Sequence, residues 1–495
     1  MVILFSHSLY FLIVFQIPFL SFADQRIDYD IDDDGLIEIN TLQDLHEIRN
    51  NVSDGDYPEI KGDRLYGSND GCPINGCNGY ELTADLDFDT NGNGRFDEQD
   101  LFWNEGEGWQ PIGSFSLKFN SEFNGNGFAL KNFVMRRPGH VFAGLFSYAE
   151  FGYFHDFTLT ADFITGGESG GVLAYGWNTR LEDIDVSIVI KGEDTPQPCS
   201  SKCVPQIIGG VVGSLDESVL KKLMVKSEVD GLERLGGVAG DLYNSELSEI
   251  AVNTEIQGVD QLGGLSGTIS GSSVQSIAAF SNIRGGNIVA GLVGGSDDST
   301  FTNILVSGLL TPAIDLERYA RSGGLIASAS SSDEITNVIS LVQLPEDAED
   351  KHFIGAIVGD AGRLTSSNVF WANDLANRST FFHDSRNNNL GQVWDLNDLQ
   401  CADESNDCNG LQFDGFSSAT NSNGASLWGF GTVDEAPSLT LPMGSFSDKD
   451  GNGVVDEWPG LNPSNQSKDN GGGMMSRLCL ALVFGLLLFR RRLAY

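Results

Sequence analysis

The sequence predicts an all-β fold: a right-handed parallel β-solenoid (β-helix) of about 8–9 turns, with a small N-terminal α/β cap and a C-terminal cap. Three observations carry this. Short glycine-led phrases return along the chain, as GGVVG at Gly209, GGVAG at Gly236, GGLSG at Gly263, AGLVG at Ala290 and GAIVG at Gly355. The second small residue of each copy falls at Gly144, Gly171, Gly210, Gly237, Gly264, Gly291, Gly324 and Ala356, at intervals of 27, 39, 27, 27, 27, 33 and 32. Aliphatic columns keep step with these marks. Phe157, Ile184, Leu223, Ile250, Ile277 and Ile304 stand 13 residues after the first six, and Leu159, Val186, Val225, Val252, Ala279 and Val306 two further on.

A spacing of two is the period of a strand, not of a helix. One such strand cannot bury its apolar side alone, but stacked copies cover one another. The glycines, 60 in 495 residues, need a mechanical reason because each costs backbone entropy on folding. Sharp corners supply one: glycine permits both positive φ and close approach of neighbouring backbones.

Taken in order, residues 1–23 read as a signal peptide, with an apolar run at 10–22 and cleavage after Ala23. Residues 24–118 form a calcium-loop and capping region. In it, TLQDLHEIRNN predicts a helix, capped by Thr41 with Asp44 at N3 and carrying His46 on its surface. Residues 119–375 hold the repeats. The 39-residue interval predicts a loop at about 191–204 bulging from the rod. Residues 376–442 form the far cap, 443–473 an acidic loop and polar linker, and 474–495 an apolar tail.

Three stretches place oxygen-bearing side chains at alternate positions, followed by glycine: Asp30, Asp32, Asp34 and Glu38; Asp89, Asn91, Asn93, Asp97 and Asp100; and Asp448, Asp450, Asn452 and Asp456. Calcium takes six to eight oxygens, and positions 1, 3 and 5 converge on one ion when glycine at position 6 allows the turn. Position 7, Arg95 in the second loop, offers its backbone carbonyl. The second loop is the most complete, because Asp100 also fills position 12, where the others carry Thr41 and Pro459. The plainer account of each is an acidic turn.

Six of the seven cysteines fall in close pairs, Cys72 with Cys77, Cys199 with Cys203 and Cys401 with Cys408, and read as local disulfides of an exported chain. The formal net charge of −40 disfavours nucleic acid as a partner. No HExxH, GxSxG or phosphate-binding loop is present. Carboxylate chemistry stays open, with Asp156, Asp183, Asp185 and the nearby Arg180 as candidates.

FNGNGFALKNF at 123–133, followed by the glycine phrases, resembles the GLUG-motif repeats of bacterial surface proteins over about half the chain. The tail resembles the GlyGly-CTERM sorting signals of Gram-negative, gammaproteobacterial-type surface proteins. Gly471, Gly472 and Gly473 would form the glycine patch before an apolar segment and Arg490, Arg491 and Arg492. The second resemblance implies a transmembrane tail, processing by a rhomboid-type sortase, and display at the surface or release; an ordinary C-terminal anchor is the alternative. Together these lead to an exported, calcium-stabilised, non-enzymatic structural or adhesive module whose partners are glycans or surface proteins. A polysaccharide-active lyase or glycosidase on the same scaffold is the alternative.

Overall fold

The computed structural model describes residues 26–459, except 55, 194–205, 314–319, 346–351, 363, 384–389, 401–415, 417, 431–434 and 457. The expected signal peptide, the tail and its sorting residues, and Cys199, Cys203, Cys401 and Cys408 lie outside the described residues. Cys72 and Cys77 are disulfide-bonded.

The chain coils through three parallel sheets, and one central turn shows the plan. Arg234–Gly236 lies on a short face, Ala239–Tyr243 on a middle face and Glu246–Gly258 on a long face. The faces stack into sheets of 8, 10 and 14 strands. From Glu122 to Ala372 the long face has nine rungs among the described residues. The columns read from the sequence stand over one another. Ile250 pairs with Ile277 and Ile277 with Ile304, and all three are fully buried. A parallel rung leaves a row of unpaired N–H and C=O groups that only the next rung can satisfy, so register and column burial enforce each other.

The stack begins before residue 119. Ile37–Ile39 pairs in parallel with Gly79–Leu82, which pairs with Glu122–Asn124. The leading region therefore supplies the first rungs. Its helix, Leu42–Glu47, is capped as expected: Thr41 Oγ1 accepts from the Asp44 N–H at 3.1 Å, and the Asp44 carboxylate accepts from the Thr41 N–H at 3.0 Å. His46 is half-buried rather than freely exposed; it packs against Phe102 and Trp109, at ring-centroid distances of 5.3 and 5.9 Å.

The repeated glycines act by close approach, not by positive φ. Gly237 and Gly264 have ordinary φ values; left-handed corners are made instead by Phe151, Asn178, Glu217, Asn244, Gly271 and Asp298. A methyl group at Gly237 would overlap the Gly264 carbonyl, and one at Gly264 would overlap Ser281 and the Gly291 carbonyl. A second left-handed ladder, including Asp156, Asp183, Lys222, Glu249, Ser276 and Asn303, kinks each long strand. Beside the first ladder runs a column of hydroxyls that the sequence pattern did not disclose. The Ser218 N–H donates to Ser245 Oγ at 3.1 Å, Ser245 to Ser272 at 3.0 Å and Ser272 to Ser299 at 3.2 Å.

The far end also departs from expectation. The antiparallel strands Trp428–Gly429, Ser438–Leu441 and Gly444–Phe446 lie along the outward side of the long face. They cover a second core in which Met224, Ala278, Phe280, Leu305 and Ile339 meet Phe416, Trp428 and Leu439. The transmembrane assignment is corrected: among the described residues no helix is long and apolar enough to cross a membrane.

The packing at the marks sets up a paired test. Gly264→Ala is expected to cost ~1–3 kcal/mol through overpacking. Gly295→Ala, whose added carbon would first meet Thr268 at an ordinary 3.6 Å, is expected to stay within ~0.5 kcal/mol of wild type. Denaturant midpoints of the two variants check this.

Candidate metal centre

The first acidic loop folds onto the leading edge of the stack. Gly35, at φ +91°, turns the chain so that its N–H donates to Asp30 Oδ2 at 3.1 Å, while the Leu36 N–H donates to Asp34 Oδ1 at 2.8 Å. The next strand carries Glu38, and parallel pairing sets Glu81 beside it. Carboxylate oxygens of Asp30, Asp32 and Asp34 lie within 4.8 Å of one another, as do those of Asp32, Glu38 and Glu81. That span suits oxygens sharing an ion at 2.3–2.6 Å. Asp30 is fully buried, and Glu38 and Glu81 are each 3% exposed. Asp30 Oδ1 and Glu38 Oε2 have no hydrogen-bond partner. Buried, unpartnered carboxylate oxygens are costly unless a cation or proton meets them.

Electrostatics agree. Burial raises the carboxyl groups of Asp30 and Glu38 above their ordinary range. Glu81 is pushed up to about 7, first by burial and then by Asp34, Asp32, Glu38 and Asp30. This residue set fits a hard divalent cation. Glu81 was missed in the sequence because it lies far along the chain from the loop and stands in a strand pattern; only register brings it in.

The third loop does not stand in a free linker. Asp448 is fully buried against the long face, where its carboxylate accepts from Ser307 Oγ. Gln343 Nε2 donates to the Gly451 carbonyl at 2.9 Å. Within the loop, Asp448 Oδ2 accepts from the Gly453 N–H at 2.9 Å, and Asn452 Oδ1 from the Val454 N–H at 2.8 Å. The carboxylates of Asp448, Asp450 and Asp456 come within 4.8 Å of one another. Burial raises Asp448 above its ordinary range.

The second loop, the most complete by sequence, is arranged differently. Asp89, Asp97 and Asp100 are not among the carboxylate sets gathered within that distance. Side-chain amides occupy the space instead: Asn91 Nδ2 donates to Asp97 and Asp100, both at 3.2 Å, and Asn93 Nδ2 donates to Asp97 at 2.8 Å. The Gln99 N–H and the Asn93 amide hold Asp97 below the usual carboxylate range. Arg95 sits at the loop's seventh position, its N–H donating to Asn93 Oδ1 at 2.8 Å.

Two clefts open on the outward side of the long face. One, of about 680 Å³, runs from the second loop to the third across successive rungs. The other, of about 310 Å³, lies between the long face and the C-terminal segment and is lined by Asp156, Asp183, Asp185 and Lys222. Lys222 Nζ lies 3.3 Å from Asp183, whose carboxyl burial nonetheless holds above its ordinary value. Arg180 pairs instead with Glu182.

No family model matches the chain. A protein of Evansella cellulosilytica named as a Gly-rich membrane protein is 38% identical over 61 residues, 12% of this chain and 7% of that protein. Halomucin of Haloquadratum walsbyi is 25% identical over 143 residues, 28% of this chain and 1% of that protein. The chain thus spans under a tenth of either relative. Among solved structures, a Bacteroides ovatus chain named as an immunoglobulin A1 protease aligns with a TM-score of 0.35 and 13% identity, covering 66% of this chain and 84% of that one.

Calcium at ~100 times its dissociation constant is expected to stabilise the protein by ~2.7 kcal/mol, lost on adding chelator. Calorimetric melting with and without chelator checks this, and Asp30→Asn should shrink the difference. The metal-free protein should also respond to pH. The folded-state value of Glu81, about 7, lies above its ordinary 4.5, so its favourable contribution is complete below 4.5 and lost as pH rises through 7. Over the same window protons stop competing, so calcium affinity should rise. Glu81→Gln should flatten both trends in melting and titration series.

Proposed function

We propose that this chain is an exported, calcium-stabilised β-solenoid that serves as a structural or adhesive module at the cell surface. The observation that carries this reading is where the carboxylate clusters of the first and third loops sit. One closes the leading edge of the stack, and the other fastens the C-terminal segment to the long face. Ions there would hold a rigid rod whose long-face clefts stay open for contact. The bonded Cys72 and Cys77 support an oxidising exterior. Membership of the GLUG-repeat class, and processing by a sortase-like protease near Gly471, Gly472 and Gly473, belong to the same proposal and rest on the sequence.

A second reading is favoured by one feature. The smaller cleft gathers Asp156, Asp183, Asp185 and Lys222, groups that a polysaccharide-active lyase or glycosidase would use.

The purified chain, with calcium present, is expected to attach to whole cells, surface glycans or partner proteins in a binding screen, while releasing no reducing ends from polysaccharides. Absence of attachment to every surface would remove the module reading. Release of reducing ends that Asp183→Asn abolishes would install the enzyme in its place.

A further inference from the structure

We propose that the larger cleft binds an uncharged glycan chain lying along the solenoid axis; this rests on the surface-module reading above and names its ligand class. The cleft continues past the third loop into a second hollow of about 300 Å³, sharing Glu228, Glu255, Asn282 and Val454 with it. Together they form one trough. Its floor is the outward side of seven rungs, so at ~4.8 Å per rung it is roughly 29 Å long. Phe96 of the second acidic loop and Val454 of the third both line it.

The floor chemistry selects the ligand. Parallel register repeats polar groups from rung to rung: Ser187, Lys226 and Asn253 form one row, and Glu228, Glu255 and Asn282 a second. Carboxylates accept, the ammonium donates and the amides do both, which suits hydroxyl groups. Lys226, Glu228 and Glu255 are exposed, so their capacity is available to a ligand. A purely apolar ligand would desolvate these charged groups without pairing them. An anionic polymer meets these acids within a chain of net charge −40. Phe96, half-buried, offers part of its ring for the apolar face of a sugar.

Period separates a glycan from a peptide. The floor repeats every ~4.8 Å, whereas an extended peptide advances ~3.4 Å per residue and presents a given side only every second residue. The residue repeat of an extended β-1,4-linked pyranose chain is close to the rung spacing, so successive sugars step from rung to rung along the two polar rows. Strand addition needs a free sheet edge, and this floor is a side-chain face.

The test is titration calorimetry of the full exported chain, calcium present, with hexasaccharides of neutral β- and α-linked glucose, xylose and mannose, and with hexagalacturonate. A neutral hexamer should bind, its trimer ~10-fold or more weakly, and Glu228→Ala with Glu255→Ala should lose ~10-fold or more, the scale of one charged hydrogen bond. Unchanged melting of that variant shows that the fold is kept, and Lys226→Ala provides an independent second substitution. Binding of hexagalacturonate alone, equal binding by wild type and variants, or no binding by any neutral hexamer overturns the proposal. A chain that attaches to surfaces yet binds no hexamer overturns the trough assignment and leaves the module reading standing.

Discussion

The structure depends on backbone hydrogen bonding between parallel rungs in register. Each rung is too short and too one-sided to persist alone, and each is completed by the next. The paired glycines let the rungs approach at their first corner, where a side chain at Gly237 or Gly264 would strike the neighbouring carbonyl. The serine column does matching work at the second corner, with each hydroxyl accepting from the backbone of the rung before it. The aliphatic columns fill the interior that this close approach creates.

A stack of this kind is weakest where the repetition stops. At the leading edge the chain places a helix, a disulfide and an acidic loop around the first strands. The fit of that loop to a cation is a consequence of stacking: Glu38 and Glu81 are brought side by side by strand pairing, not by loop geometry. The C-terminal segment solves a different problem. Several later rungs carry apolar residues on both sides, as in the runs IAAF at 277–280 and VISLV at 338–342, so their outward side also needs cover. The returning strands supply it, and the third acidic loop comes to rest on the same face through Ser307 and Gln343.

Much of the repeat was legible because its signal is one-dimensional. A 27-residue interval, a two-residue alternation and recurring small residues require only counting. The role of the glycines was half legible. Composition signals a steric need, but close approach and positive φ look alike until the backbone is seen, and the left-handed positions went to residues such as Asn178 and Glu217. The hydroxyl column was visible in principle, as a serine eight residues after each of four marks from Gly210 to Gly291. Serine is common enough in turns to hide it.

By itself the sequence determined the stacked β architecture, its register, the capped helix and the existence of acidic loops, because each follows from local spacing. Only the tertiary structure decided which loops gather their carboxylates, that Glu81 joins the first, and that the C-terminal segment returns along the long face. Those outcomes depend on which distant strands become neighbours. Burial then does the rest: it leaves Asp30 and Glu38 with oxygens no protein donor meets, whereas the open second loop satisfies its carboxylates with its own amides.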